Sequence, residues 1–402
     1  MRGKQNLFLL VVIGSIIIEM LFLSYGYEKT WRLWNIPTML PHFADLRVII
    51  GGAESYALGY DPLINNPNDP WGRVMNYPRI WQWLFLLKIN QNHTTYIGMA
   101  FIFLFVVGIF LFLKPINNIT AWLLTMSLFS PAVLLGIERA NNDLLIFFIV
   151  SLALLVLRRS ALAAMSLILT GFILKLYPLF GLGCLLKENQ KTLLRLAIIS
   201  LVIILIYLGF TFEDLVRIRQ GTPRSIGLSY GVDVFWMSVQ SHSPLAGKIL
   251  HLLSYGMVLF LVIFVLWLNR NAFQAPVSEK DNHIDAFRLG SMIYLGTFML
   301  GNNWDYRLLF LIFVIPQLVS WAINSSGYVA WIAKLTILAI LISLWSLLIY
   351  RLMNRLPLGH DIAFLLEHFA KWTVFAGLFY LLVSSLPNWI GHYVRRTASR
   401  SD

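Results

Sequence analysis

The 402-residue chain holds only 19 acidic side chains, so each carboxylate near the end of an apolar segment is a candidate for chemistry. Asp45, in Phe43-Ala44-Asp45-Leu46-Arg47, follows the first apolar segment at the expected start of a helix. A carboxylate there meets both water and lipid headgroups, and it could act as a general base toward a hydroxyl nucleophile. The same position suits a helix cap, because Asp stabilises an N-terminal turn by about 1 kcal/mol. Lys175, in Leu174-Lys175-Leu176-Tyr177-Pro178, lies inside an apolar stretch from Ala161 to Leu186. A lone lysine there either reaches an interface along its own stem or meets an anion, for which a phosphate headgroup is a natural partner.

Glu138-Arg139-Ala140-Asn141-Asn142-Asp143 puts Glu138, Arg139 and Asp143 between two apolar segments. Burying them is costly unless they are paired or solvated, which favours a site or pathway. The alternative is that Asn142 caps a helix. Gly59-Tyr60-Asp61-Pro62 reads as a turn and Tyr77-Pro78-Arg79 as a helix entry. Asp305, Tyr306 and Arg307 fall in a tight polar connection, either a solvated loop or a phosphate or sugar contact. Arg224 in Gln220 to Ser225, and His360, add candidates on the same face.

The elements that must hold these residues are written in the composition. With 58% hydrophobic and 12% charged residues, the chain is not a soluble domain but an all-α polytopic membrane protein. Leu7 to Leu23, Ile97 to Leu113, Leu193 to Phe210, Ile249 to Leu268, Ile332 to Tyr350 and Trp372 to Leu386 are long enough to cross most of a ~30 Å hydrocarbon core. They must be helical, because lipid offers unpaired backbone groups no partner. The pattern predicts a single membrane domain over 1–402, about twelve transmembrane helices, and external loops at 27–77 and 213–246. An apolar pattern from Leu46 to Leu58, in which Val48, Ile49, Ala53, Tyr56 and Ala57 can share a side, predicts an interfacial helix in the first loop.

The net charge of +12 does not mark a nucleic-acid binder, since the basic residues sit at segment ends and not on one aromatic-rich face. Arg2/Lys4, Arg158/Arg159, Lys187/Lys191/Arg195, Arg270/Lys280 and Arg395/Arg396/Arg400 mark cytoplasmic ends, which puts both termini inside and the polar candidates outside. Three apolar stretches lie between Tyr77 and Glu138, one more than this orientation allows. Either Arg79 to Ile89 or part of Leu123 to Ile137, interrupted by Pro131, is then a half-span. The lone Cys184 excludes a disulfide framework, and no histidine spacing or glycine-rich fingerprint points to a metal or a soluble nucleotide.

The ordered set Phe43-Ala44-Asp45-Leu46-Arg47, Gly59-Tyr60-Asp61-Pro62, Tyr77-Pro78, Ser130-Pro131, Glu138 to Asp143, Lys175-Leu176-Tyr177-Pro178 and Asp305-Tyr306-Arg307 resembles the polytopic GT-C glycosyltransferases. The resemblance is closest to the family 87 type, which includes polyprenyl-phosphate-mannose-dependent mannosyltransferases. It spans most of the chain, and Ala140 departs from it where related sequences more often carry glycine. It implies an enzyme of the inner membrane that moves a sugar from a polyprenyl-phosphate carrier to a glycolipid or glycan acceptor outside, with no metal or other cofactor. It also implies that Asp45 is the catalytic carboxylate, that Lys175 contacts the donor phosphate, and that Glu138 to Asp143 form part of the site. Arg307 and Arg224 are further candidates for the phosphate, and Tyr60, Asp61, Tyr77, Arg79, Tyr177, Asp305, Tyr306 and His360 for the substrates. Two other classes share this hydropathy. A transporter or flippase of lipid-linked sugars calls for a repeated half and mid-membrane charge pairs. A membrane glycan polymerase, ligase or acyltransferase calls for an embedded histidine or arginine pair, a role open to His360 and His368.

Overall fold

The computed structural model describes residues 2–272, 283–387 and 389. Lys280 and the Arg395, Arg396 and Arg400 cluster lie outside the described residues, as does the side chain of Arg270. The fold is all-α apart from a two-stranded antiparallel ribbon that pairs Ser229 with Trp304 and Tyr230 with Asn303.

Six helices are long and apolar enough to span a membrane: Arg2–Tyr25, Gln91–Phe112, Gln190–Gly221, Pro244–Leu268, Gly327–Leu344 and Gly359–Ser384. Two bent pairs raise the number to eight. In the first, Asn118–Leu128 meets Pro131–Arg139 at 50°, and in the second Asp305–Phe313 meets Ile315–Asn324 at 52°. Proline marks both breaks: Pro131 opens its helix after the extended Ser130, and Pro316, in the first turn of its helix, donates no backbone hydrogen bond. Large apolar side chains on the long helices stand bare, with Leu23 83% and Phe210 87% exposed. Such surfaces are tolerable only where the solvent is itself apolar, and the chain is a multi-pass membrane protein.

Two boundaries differ from the sequence reading. The expected Ile332 to Tyr350 span breaks at Trp345, between Gly327–Leu344 and Ser346–Met353. The polar stretch Arg351 to His368 is helical from Gly359 onward, and its Glu367 and His368 are buried within the bundle together with Lys371. Lys371 Nζ donates to Asp305 Oδ1 at 2.8 Å, to Ser229 O at 2.8 Å, and to Glu367. This ion cluster ties the last helix to both strands of the ribbon's neighbourhood, which compensates the burial of three charges.

The first loop is compact. Its helix, Ala44–Ala57, buries Leu46, Val48, Ile49, Ile50 and Ala53, whereas Tyr56 and Ala57 are exposed. The apolar face thus packs on the protein. Glycine makes that packing possible: a Cβ on Gly51 would stand 2.9 Å from the Asn68 and Asp69 backbone, and one on Gly52 2.5 Å from Met75 Sδ. Arg79–Leu87, the suspected half-span, winds as nine residues of 3-10 helix. At 2.0 Å per residue it covers about 18 Å, too little to cross.

Candidate functional site

The site is assembled at the junction between Pro131–Arg139 and Asp143–Val156. Ala140 ends the first helix with φ 43° and ψ 45°, the left-handed conformation that glycine adopts without penalty. The tight turn expected for a glycine is therefore made by alanine. It folds Asn141 back so that its N–H donates to Gly136 O at 3.0 Å, while its side-chain Oδ1 accepts from Asp143 N at 2.9 Å.

Lys175 enters this turn from the end of Ala161–Leu174, where the backbone becomes extended. Its Nζ donates to Asn141 Oδ1 at 3.0 Å, Asn142 Oδ1 at 2.7 Å and Asp143 Oδ1 at 2.5 Å. The lysine neither snorkels nor waits for an external anion: its anion is Asp143. Tyr177 Oη donates to Asp143 Oδ1 at 2.7 Å, and Arg307 Nε lies 3.5 Å from Asp143 Oδ2. The Arg307 guanidinium also stacks 4.2 Å from the Tyr177 ring centre and bonds Asn303. Fully buried, Asp143 is thus compensated by two cations and a phenol.

On the other side of Asn141 stands Asp45. Asn141 Nδ2 donates to Asp45 Oδ2 at 2.5 Å and lies 3.4 Å from Tyr77 Oη. Asp45 sits in the first turn of Ala44–Ala57, after Phe43 in a left-handed conformation. Its carboxylate turns to Asn141 and is given no bond by its own helix's N–H groups, so capping is not what holds it. Burial and the nearby Asp45 carboxylate hold the Tyr77 phenol well above its ordinary titration range. One neutral amide therefore bridges the two residues that the sequence singled out first.

Asp45 opens onto a cavity of about 480 Å³ whose other walls include Arg73, Tyr77, Arg139, Trp304 and Tyr306. The Trp304 and Tyr306 rings run parallel, 3° apart in tilt and 6.2 Å between centres. Arg73 is fixed by Asp69, at 2.9 Å and 3.1 Å, and by Ala44 O at 2.7 Å. Arg139 is held by Glu138, 3.2 Å away, and by Pro37 O at 3.0 Å, and its Nη1 has no hydrogen-bond partner among the described residues. Glu138, buried behind Arg139, accepts from Tyr27 Oη and Met39 N.

The remaining candidates lie elsewhere. Asp61 and Arg79 form a two-bond pair, at 2.9 Å each, on the loop surface. Asp214 at 2.8 Å from Arg79 and Arg217 at 3.0 Å from Asp61 complete that cluster. Tyr60 and Arg224 are exposed. Asp305 parts company with Arg307 and turns to Lys371. His360 is exposed beside Asp361 and the Tyr350 ring. His368 lies two turns along the same helix, against Phe235 and Phe364.

Sequence reasoning passed over Asn141, Arg73 and Trp304. Asn141 lay inside a motif read for its charges, and Arg73 in a loop read for its turns. Among the described residues no group of three or more histidine, cysteine, aspartate or glutamate side chains is placed to hold a metal ion. Neither a known protein family nor a curated protein matches the sequence.

Proposed function

We propose that the chain is a glycosyltransferase that moves a sugar from a polyprenyl-phosphate carrier to a lipid-linked or glycan hydroxyl on the extracytoplasmic side of the membrane. The observation that carries this reading is the cavity itself: a carboxylate held by one amide, two arginines and a pair of parallel aromatic rings in one sugar-sized space. Each part answers a need of the reaction. Aromatic faces accept the apolar face of a pyranose ring. Arginine recognises a phosphate through a planar fork of donors. Lys175 is less suited to that task than the sequence implied, because all three of its N–H bonds are already taken.

In the proposed transfer the acceptor hydroxyl attacks the anomeric carbon opposite the phosphate oxygen. Asp45 takes the hydroxyl proton as the new C–O bond forms. The anomeric C–O bond breaks, and its electron pair leaves on the polyprenyl phosphate, whose charge Arg73 and Arg139 stabilise. Attack from the opposite face inverts the anomeric centre. In the same reading the shorter apolar helices Asp143–Val156 and Ala161–Leu174, with Ile284–Met299, bring the crossings close to the twelve expected. Purified protein given polyprenyl-phosphate mannose, other polyprenyl-phosphate sugars and extracted membrane lipids should yield a glycosylated product by mass spectrometry. Asp45→Asn should cut that rate by at least about 100-fold, and an undiminished rate would remove Asp45 as the base.

A further inference from the structure

We infer that Asn141, held in one orientation by Lys175, is a positioning residue that sets the Asp45 carboxylate for catalysis. The inference rests on the proposed transfer and deepens it.

The chemistry of the partners forces the amide's orientation. A carboxylate only accepts, so the group that Asn141 turns to Asp45, 2.5 Å away, must be its NH2. An ammonium only donates, so the atom that meets Lys175 at 3.0 Å must be the amide oxygen. The Asp143 N–H, 2.9 Å from that same oxygen, demands the same orientation. Reversing the amide would set oxygen against carboxylate on one side and NH2 against ammonium and N–H on the other. Because Asn141 is fully buried, no water compensates the reversed state.

Lys175 therefore acts at a distance. It does not line the cavity, its three donors all point into the Asn141-Asn142-Asp143 turn, and its hydrogen-bonded path to Asp45 runs through one side chain. The amide leaves the second carboxylate oxygen unbonded among the described residues. That oxygen is the one available to an acceptor hydroxyl in the cavity.

Two measurements test the inference, one without turnover. In thermal unfolding of the full chain in detergent, Asn141→Asp sets a carboxylate against Asp45 and lowers the midpoint. The exchanged pair, Asp45→Asn with Asn141→Asp, rebuilds an amide-to-carboxylate bond and recovers at least half of the loss. Strictly additive effects would overturn the contact.

In the polyprenyl-phosphate mannose assay, Asn141→Asp and Lys175→Met each lower kcat by about 100-fold, the scale of a misplaced reacting group, with the donor KM changed by less than about threefold. Added to Asp45→Asn, Asn141→Leu or Lys175→Met slows the residual rate by less than about twofold, because the group they position is gone. Multiplying losses, or a KM rise with kcat intact, would show a merely structural or substrate-binding role and overturn the inference. Full activity in Asp45→Asn would instead defeat the base assignment, with the unfolding cycle still reporting on the contact.

Discussion

Charge placement at Asp143 shows how a single residue governs the site. A fully buried carboxylate is tolerable here because Lys175, Arg307 and Tyr177 surround it. Removing the anion leaves two buried cations facing each other without a counter-ion, the costly half of a broken ion pair. Asp143→Asn should therefore destabilise the protein by about 3–5 kcal/mol, read as a lowered unfolding midpoint. Lys175→Met in the same chain should return part of it, since it removes one of the stranded charges. At this scale the sequence was legible where a residue type is out of place. A lysine among leucines and an acidic residue at a membrane edge draw attention by their desolvation cost alone. Asn141 carries no charge, so nothing in its type distinguished it from its neighbour Asn142. Its role comes from what the turn brings to its two ends.

Elements are joined at the first loop by ions as well as by apolar contact. Gln190–Gly221 has 32 residues, about 48 Å at 1.5 Å per residue, which exceeds a ~30 Å hydrocarbon core. The overhang carries Asp214 and Arg217 to the loop, where they meet Arg79 and Asp61. Gly221 and Pro223, just beyond, form part of the cavity wall, so this cluster helps to fix one side of the site. Hydrogen bonds from Arg79 hold the Asp61 carboxyl below its ordinary titration range. A depressed carboxylate adds stability that is complete above its unfolded-state range and is lost as pH falls through the lower folded value. Proteolysis of the loop should accelerate as pH drops below the usual carboxylate range, and Asp61→Asn should cleave fast already at neutral pH. Equal cleavage of both proteins across the range would count against the clamp. The break at Pro131 was readable because proline has a local backbone consequence. What covers the Leu46 to Leu58 stripe was not, because an apolar stripe looks the same whether lipid or Met75 and the Asn68 backbone will cover it.

For the whole molecule, the question is which side of the membrane holds the cavity. The cavity, the Asp61 cluster and exposed Tyr60 all belong to or border the first loop, whereas Arg158 and Arg159 form the exposed connection between Asp143–Val156 and Ala161–Leu174. From the Glu138 to Asp143 turn, Asp143–Val156 leads away from the site, and Ala161–Leu174 returns to deliver Lys175 to it. Each has 14 residues, about 21 Å of rise, so the Arg158/Arg159 connection sits at the far end of this helical hairpin from the site. Positive charge in short loops marks the cytoplasm, so the proposed function expects the cavity outside. The sole cysteine, Cys184, is fully buried, so the natural chain is already a quiet background for thiol labelling. Tyr60→Cys should react with a membrane-impermeant maleimide on intact cells, and Arg159→Cys only after the membrane is opened. The reverse pattern would place the carboxylate and its arginines in the cytosol, where an extracytoplasmic polyprenyl-phosphate sugar could not reach them.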